Sequence, residues 1–587
     1  MPIRKTATVA LTLLGAGMAR PAAAQTTTDS TRRSADIPPA RDTIPAVHCG
    51  GERVSSIELR AARPAFKGAS RFWRAAGHAV GLHHATTQPR VLAAFLDLEA
   101  GQPCTEFRRA ETERVLRAQP FLANASVTVF PDTGGTVRVI VETTDEIPVV
   151  VGGRFRGSRL AALSLGNENI AGLGLSLLLS AQRGDPYRNG FGAELVDYAT
   201  SGRPYVSTLA AVREPLGGRW QLGLSHPFFT DLQRLSWHGS ASGSHVFLGF
   251  LRPARDGLAL DVRRQGWELG VLGRAPVLGR FGIGGLVLTG SHLAPGSDAV
   301  VLSDSGIALD TGVTLSGRYR GVRAVRVGGI AGIRSLTFRT VQGFDALTAV
   351  QDVAIGAQVG LLLARGVGAF GASDLFIASE LYTGFGTERS FVGLQLDAEA
   401  RHERAAEGWD DILMSGRGAW YMRAGRHTVI LSDEVSGGRR SRLPFQLSAA
   451  DRDGGIRGYR RSLIAGGWRN VARTEDRLFM TQLRGRMDIG VAGFADVGSL
   501  WPGDAPYGQM RPFEPSLGLS LLGAFPVGSK RLYRLDVAFP TGPAAGGRWE
   551  VRFSSENRTR AFWTEPGDIL RSRINGTPSA LFNWPLR

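Results

Sequence analysis

Beyond Val149 the chain is a long series of segments in which apolar residues alternate with polar or small ones. In residues 353–361, Val, Ile, Ala, Val and Leu occupy the odd positions, whereas Ala, Gly, Gln and Gly occupy the even ones. Residues 392–401 and 220–225 repeat the pattern. A period of two places successive side chains on opposite faces of a β-strand. The sequence therefore predicts a mainly β protein whose strands each have one apolar face.

The length of this region favours a membrane barrel over a soluble sheet. About 400 residues of such segments, separated by turns rich in Gly, Asp, Arg and Pro, are too many for one ordinary β-sandwich. A transmembrane barrel of about 16 antiparallel strands over residues 150–556 accommodates them and removes the exposed strand edges. Ten of the eleven tryptophans follow residue 200, as expected for aromatic girdles at membrane interfaces. A soluble β-protein, with its apolar faces meeting in a core, is the alternative.

Composition and charge limit the other classes. Glycine accounts for 77 of 587 residues without the three-residue period of collagen. The mean hydropathy of −0.05 and the lack of a long apolar run argue against membrane-spanning helices. The net charge of +17 comes almost wholly from arginines that are spread along the chain, not gathered into a stripe. Nucleic acid is therefore not expected among the partners.

The N-terminus has the pattern of a secretory signal peptide over residues 1–24. Arg4 and Lys5 precede a short apolar stretch, and Ala22 and Ala24 provide the small residues that a signal peptidase requires before Gln25. Residues 25–47 are rich in Thr, Ser, Arg and Pro and are predicted to be a disordered linker. The sequence therefore predicts export from the cytoplasm.

The chain has two cysteines, Cys49 and Cys104, in one short N-terminal region. Export into an oxidising compartment favours a disulfide between them, and two free thiols are the alternative. A bridge would close a loop of about 55 residues, which the chain-entropy model associates with about 4 kcal/mol of stabilisation.

Residues 48–146 differ from the rest of the chain in their pattern. Strands are predicted at 54–59, 125–130 and 136–141, helical segments at 71–82, 88–98 and 105–118, and turns at 101–103 and 132–135. If the first two helical segments form one broken element, the order is β-α-α-β-β. The sequence thus predicts a small α+β domain before the barrel.

Several patterns suggest chemistry but have simpler explanations. Asp132-Thr133-Gly134 and Asp310-Thr311-Gly312 spell the aspartic-protease triplet, yet the first joins two predicted strands and the second is expected to open a barrel strand. His78, His83 and His84 are close in sequence but lack the glutamate of a zinc-binding helix. Neither a nucleophile elbow nor a phosphate-binding loop is present. We therefore expect no enzyme activity, no metal and no cofactor.

Two resemblances to known families rest on specific residues. Residues 98–102 and 114–121 resemble the POTRA domain, the periplasmic module that precedes outer-membrane barrels, in their order of helix, Gly turn, helix and aromatic residue. Further along, the chain contains the run Asp453-Gly454-Gly455-Ile456-Arg457-Gly458-Tyr459, followed by Gly466, Glu475 and Arg477 and then by Phe494-Ala495-Asp496-Val497-Gly498. Together these residues resemble the BamA superfamily of outer-membrane insertases and translocators. Arg457 and Asp496 are 39 positions apart, similar to the spacing in that superfamily between an Arg-Gly-aromatic tip on the sixth extracellular loop and a Phe-x-Asp-x-Gly strand. Gly166, Asn167, Asn169, Ile170 and Gly172 resemble its first barrel strand, and residues 532–540 a late one.

The loop-six motif has a physical reason. An arginine on a loop folded into the lumen cannot lose its charge, so it needs a carboxylate on the wall, and Asp496 is the expected partner. Glu475 is a candidate for a second contact. Gly458 would let the loop approach the wall closely, and Tyr459 would pack beside the ion pair with its hydroxyl satisfied. The alternative is that Arg457 lies on a solvated turn.

The resemblance implies a function in moving polypeptides. Members of the superfamily are thought to open the seam between the first and last strands, here expected near residues 166–180 and 549–555, so that a client strand adds to a free edge. It implies outer-membrane lipid and lipopolysaccharide, unfolded outer-membrane or secreted clients, and periplasmic or lipoprotein accessory factors as partners. It also implies location in the bacterial outer membrane, with the POTRA-like domain capturing clients in the periplasm.

Two alternatives have the same predicted fold: a two-partner secretion transporter of one dedicated substrate, and a passive or structural pore. The chain departs from the superfamily pattern in having one POTRA-like unit. It also continues after the last predicted strand in a C-terminal tail, residues 557–587, to which the sequence assigns no role.

Overall fold

The computed structural model describes residues 45–63, 85–156, 159–184, 187–253, 257–277, 280–312, 315–403, 408–451, 454–557 and 562–573. From Ala46 onward the chain belongs to one compact unit. Outside the described residues lie the predicted signal peptide 1–24, nearly all of the predicted linker 25–47, the predicted helical segment 71–82, Asp453, His78, His83 and His84.

The described residues from 46 to 145, namely 46–63 and 85–145, form an α+β unit, which we call the small unit. Its elements are β1 (Gly50–Ala62), α1 (Pro89–Ala93), β2 (Pro103–Thr105), α2 (Glu106–Arg117), β3 (Leu122–Pro131) and β4 (Val137–Asp145). The sheet order is β2-β1-β4-β3, in which β1 is parallel to β4 and the other neighbours are antiparallel. Thr105 ends β2 and caps α2, because its hydroxyl accepts a hydrogen bond from the backbone N–H of Arg108. The apolar side of α2 packs on the sheet through Val115 and Leu116.

The predicted elements of this unit differ from the observed ones mainly in length. The strands predicted at 54–59, 125–130 and 136–141 overlap β1, β3 and β4, each of which is longer. The segment predicted as helix 88–98 is helical only over α1. Beyond α1 the backbone N–H of Asp97 donates to Thr112 Oγ1 (3.1 Å) on α2 instead of continuing the helical ladder.

The remaining strands, with one exception, close into a barrel. They are β5 (Val149–Arg156), β6 (Arg159–Asn167), β7 (Leu175–Gln182), β8 (Gly190–Asp197), β9 (Val206–Glu214), β10 (Gly217–His226), β11 (Leu235–Gly249), β12 (Gly257–Val277), β13 (Arg280–Pro295), β14 (Val300–Ser303), β15 (Gly306–Leu309), β16 (Val322–Gln342), β17 (Val350–Gly366), β18 (Asp374–Gly386), β19 (Ser390–Glu403), β20 (Trp409–Ala424), β21 (His427–Arg439), β24 (Trp468–Leu483), β25 (Met487–Trp501), β26 (Arg511–Ala524), β27 (Arg531–Pro540) and β28 (Glu550–Asn557). The exception is a two-stranded sheet of β22 (Leu447–Ser448) and β23 (Ala465–Gly466), which lies in the connection between β21 and β24. A short helix, α3 (Gly567–Ser572), follows the barrel.

The prediction of a mainly β chain with a large barrel and a small N-terminal α/β region is confirmed, but the predicted number of about 16 strands is too low. Strand β13 pairs directly with β16, so the short β14 and β15 between them form a hairpin at one end of the barrel. The other strands, about 20, make up the described wall. Residues 149–226 contribute six of these strands, β5 to β10, each of 8 to 10 residues. Asp310 also differs from its prediction, because it follows β15 and does not open a strand.

The two faces of the wall agree with the alternation in the sequence. On β17, Val359 and Leu361 are exposed on the outer face, whereas Gln358 is buried in the lumen. The outer face carries many exposed large apolar side chains: Leu163, Leu165, Leu179, Phe191, Leu209, Leu222, Leu269, Leu286, Val327, Ile333, Val359, Leu361, Leu363, Val392, Leu517, Leu519, Leu521 and Phe553. An apolar outer band around a lumen of buried charged residues is typical of a transmembrane barrel.

The chain itself fills much of the lumen. At one end the small unit covers the mouth, and the β16–β17 turn, residues 343–349, folds inward with Phe344 buried against Tyr421. At the other end Phe250, Tyr319 and Leu443, from three different connections, share one apolar cluster.

Within the described chain, no helix has the length and apolar character needed to cross a membrane.

Candidate functional site

The connection between β21 and β24, residues 440–467, folds back into the lumen, and we call it the clasp loop. The backbone N–H of Ile456 donates to Ala449 O (2.9 Å) and that of Gly455 to Ala450 O (3.0 Å). Together with the β22–β23 pair, these bonds give the loop a defined shape before it reaches the wall. Ile456 is fully buried, so the tip of the loop lies among protein atoms and not in solvent.

Arg457 at this tip makes a bidentate ion pair with Asp496 on β25. Its Nε donates to Asp496 Oδ2 (2.8 Å), its Nη2 to Oδ1 (2.6 Å), and its own backbone N–H also donates to Oδ2 (3.2 Å). The guanidinium carbon lies 3.6 Å from the centre of the Phe494 ring, which adds a cation–π contact on the same strand. Four contacts on alternate residues of one strand therefore hold Arg457 against the wall.

Glu475 on β24 completes the cluster and is shared by three arginines. Its Oε2 accepts from Arg457 Nη1 (2.6 Å), and its Oε1 accepts from Arg477 Nε (2.5 Å). Arg534 on β27 donates to both oxygens, at 2.8 Å and 3.0 Å. Glu475 therefore joins the clasp loop to two further wall arginines.

Two glycines let the loop lie this close. A Cβ at Gly498 would lie 2.2 Å from Ile456 Cδ1, so the position is open only because it has no side chain. Gly458 has φ +89°, a left-handed conformation that favours glycine, and a Cβ there would lie 3.0 Å from Pro540 Cδ. Tyr459 is fully buried. Its hydroxyl donates to Pro515 O (2.9 Å) and accepts a hydrogen bond from the backbone N–H of Gly542 (3.0 Å).

The structure thus brings together the predicted loop-six residues 456–459 and the predicted wall residues Glu475, Phe494, Asp496 and Gly498. Sequence reasoning missed Arg473, whose Nη2 donates to Gly455 O (2.8 Å) and whose Nη1 pairs with Glu434 (2.7 Å). It also missed Arg534. The signal for Arg473 was a row of charged residues at every second position of β24, which predicts a polar lumen face.

The motif around Gly166 has a different place from the predicted one. The first barrel strand is β5, which follows β4 after a connection of three residues, and Gly166 lies on the second, β6. In the closed order β28 is next to β5. The residues predicted for the last strand, 549–555, do fall on β28, but the first strand at this junction is β5 and not the predicted segment 166–180.

Residues of the Gly166 motif instead contact the small unit. Asn169 Nδ2 donates to Thr87 Oγ1 (2.8 Å), and Thr87 in turn donates through its N–H (2.8 Å) and hydroxyl (2.7 Å) to Asp145. A Cβ at Gly172 would lie 2.0 Å from Thr86 O. Burial raises the pKa of the Asp145 carboxyl to about 6.

Helix α2 packs against the barrel mouth through charged side chains. Arg117 makes a bidentate pair with Asp352 on β17 (2.8 and 2.7 Å), and Arg114 Nη2 donates to Phe229 O (2.8 Å) in the β10–β11 turn. Glu146, between β4 and β5, accepts from Ser529 Oγ (2.7 Å), and burial raises its pKa. The small unit is therefore bonded to several turns at the same mouth.

Cys49 and Cys104 are joined by a disulfide that links the start of β1 to β2. Among the described residues, no group of three or more His, Cys, Asp and Glu side chains is placed to hold a metal ion.

Comparisons with known proteins give structural neighbours only. No family model and no curated protein matches the chain. BamA from Haemophilus ducreyi lacking POTRA domains 1–3 is similar at 10% identity, over 86% of this chain and 83% of that one, with a TM-score of 0.34. CdiB from Escherichia coli is similar at 12% identity, over 86% and 76%, with a TM-score of 0.38. CdiB from Acinetobacter baumannii is similar at 9% identity, over 81% and 74%, with a TM-score of 0.35. All three TM-scores lie below 0.5.

Proposed function

We propose that the chain is an outer-membrane barrel of the BamA type that assists polypeptides in entering or crossing the bacterial outer membrane. The observation that carries the proposal is the clasp of Arg457 with Asp496. The motif that resembles loop six lies inside the lumen, and its arginine meets the aspartate of the motif that resembles the Phe-x-Asp-x-Gly strand. The apolar outer wall supports a membrane location.

The segments that occupy the lumen support a path along the wall and not through its centre. The clasp loop and residues 562–573 both occupy the lumen, and the small unit covers one mouth. The last strand, β28, is next to β5 in the closed order. Opening that junction would expose two strand edges, to which a client strand can add by main-chain hydrogen bonds.

In this proposal the small unit is a POTRA-like periplasmic domain that receives the client. The outer edge of β3 is already occupied by its own chain. Val129 O accepts from the N–H of Val47 (2.9 Å), and Val127 O accepts from Arg109 Nη1 (3.0 Å). Capture of a client strand at this edge therefore requires Val47 and the Arg109 side chain to leave it.

Reconstitution in liposomes tests the function. We expect the purified chain to accelerate folding of an unrelated outer-membrane barrel into liposomes, and Arg457→Ala to lose most of that acceleration while remaining folded. Arg219→Ala is a matched control, because Arg219 pairs with Glu214 on the exposed surface. Ion conductance without assisted folding would support a passive pore and contradict the proposal.

The proposed location has a separate test. A protease added to intact cells is expected to leave the small unit uncut, whereas cells with a permeabilised outer membrane should lose it. Cleavage in intact cells would place the small unit outside the cell and contradict the periplasmic assignment.

A further inference from the structure

A short segment beyond the last barrel strand, residues 562–573, lies inside the lumen, and we call it the lumen segment. It contains α3 and follows β28 after a few residues. Trp563, Glu565, Asp568 and Ile569 are all buried in the structure. Neither the alternation of the barrel nor the clasp explains why these residues are inside.

The acidic residues of the lumen segment meet wall arginines and other polar groups. Asp568 accepts from both terminal nitrogens of Arg469 on β24, at 2.6 and 3.1 Å, and from the backbone N–H of Ser448 (3.2 Å). Glu565 accepts a hydrogen bond from the hydroxyl of Ser415 on β20. Charge-assisted bonds of this kind are strong where water is excluded.

Other side chains of the wall bind backbone carbonyls of the segment and its last described residue, Arg573. Arg417 Nη1 donates to the carbonyl of Phe562 (2.9 Å). Arg264 on β12 donates to the carbonyl of Arg571 (2.5 Å). Arg573 pairs with Glu399 on β19 and also donates to Glu565 Oε2 (2.8 Å). Four wall strands therefore contribute side chains to one bound peptide segment.

Two apolar side chains of the segment, Phe562 and Ile569, also pack against other parts of the barrel. A Cβ at Gly393 would lie 2.7 Å from the ring of Phe562, so the absence of a side chain there leaves room for the ring. Phe562 also lies beside Tyr382 and Phe391, with ring centres 6.0 Å apart in each case. Ile569 packs in a cluster with Leu413, Phe445 and Leu447.

We propose that the lumen carries a peptide-binding site on β12, β19, β20 and β24, and that residues 562–573 are its resident, intramolecular ligand. The site takes a peptide with an aromatic residue followed by acidic residues three and six positions later, as in Phe562, Glu565 and Asp568. This inference goes beyond the proposed function, because it concerns binding to the barrel and does not depend on assisted folding.

The test measures binding of a labelled peptide with the sequence of residues 562–573 to three forms of the full barrel in detergent. A chain that ends at Asn557 lacks the segment and is expected to bind the peptide with saturation. The full-length chain and a chain that ends at Arg573 retain the segment and are expected to bind much less, because the site is occupied. Retention of the heat-modifiable gel mobility of a folded barrel is the control for folding.

Two variants test whether the contacts decide the affinity. The Asp568→Asn peptide should bind the chain ending at Asn557 about 10-fold or more weakly, because one charged partner of Arg469 is lost. Gly393→Leu in the same truncated chain should abolish binding, because its side chain fills the space of the Phe562 ring. If the folded truncated barrel does not bind the peptide, or binds a scrambled peptide equally well, the proposal is wrong.

Discussion

The side chain of Ile456 on the clasp loop occupies the space that any side chain at Gly498 on β25 would need, with 2.2 Å between Ile456 Cδ1 and an ideal Cβ. Arg457, which follows Ile456, and Asp496, which lies two positions before Gly498, form the bidentate ion pair beside this contact. The two motifs therefore fit each other in shape as well as in charge. Because the shape and the charge act at adjacent positions, they can be tested separately.

The steric contact between Ile456 and position 498 predicts that a substitution at one of these positions can compensate for a substitution at the other. Gly498→Val should displace Ile456 and cost about 1–3 kcal/mol of stability through overpacking, with a loss of assisted folding. Adding Ile456→Ala should restore part of both, because it removes the colliding atoms. Limited proteolysis of the clasp loop and the liposome assay measure the two effects. Equal damage in the single and double variants would contradict the steric explanation.

The charge of the contact predicts strong coupling. Arg457→Ala leaves Asp496 buried without its bidentate partner and is expected to cost about 3–5 kcal/mol, and Asp496→Ala should cost a similar amount. The double variant should cost less than the sum of the two. Arg457→Lys should restore little, because an ammonium cannot make the bidentate contact. Unfolding of the barrel in denaturant, followed by tryptophan fluorescence, measures the cycle, and additive costs would show that the pair is not coupled.

The small unit should lose stability as the pH rises from about 4 to about 6. Its folded state holds the Asp145 proton up to about pH 6, whereas the unfolded carboxyl releases it near pH 3.8, so ionisation opposes folding across this interval. Asp97 acts in the same direction, because burial and then the charge of Glu111 raise its pKa to about 6.

Hydrogen exchange of the β4 amides in the full-length protein, corrected for intrinsic rates, measures this pH dependence. Asp145→Asn should make the profile flatter, and Glu99→Gln is the control, because Glu99 is exposed on the surface of the small unit. An unchanged profile in Asp145→Asn would show that another group causes the pH dependence.

The disulfide predicts a local effect. Cys49→Ser with Cys104→Ser should destabilise the small unit by about 2–5 kcal/mol and leave the barrel intact, because the bridge lies within the sheet of the small unit. Protease sensitivity of residues 46–145 measures the first effect, and heat-modifiable mobility of the barrel measures the second. Loss of the folded barrel in this variant would mean that the disulfide also supports the junction.

Part of the candidate site could be predicted from the sequence, because it consists of short motifs. Arg457-Gly458-Tyr459 and Phe494-x-Asp496-x-Gly498 are short motifs, and Asp496 and Gly498 share a strand face by their spacing alone. The same rule, applied to Arg473, Glu475 and Arg477, would have indicated that β24 presents charged residues to the lumen. It did not indicate that Glu475 would meet Arg534, because β24 and β27 are separated along the wall by two strands and the contact depends on how the barrel curves.

The sequence by itself determined the class of the fold, since a period of two in hydrophobicity dictates which face of each strand is apolar wherever the strand lies. It also determined the α+β character of residues 48–146 and the residues of the clasp. Only the tertiary structure decided that about 20 strands form the wall, that β5 and not the strand of Gly166 is next to β28, and that residues 562–573 occupy the lumen. The physical reason is that closure, strand register and lumen filling depend on contacts between residues far apart in the chain, such as Arg469 and Asp568, and such contacts leave no periodic trace in the sequence.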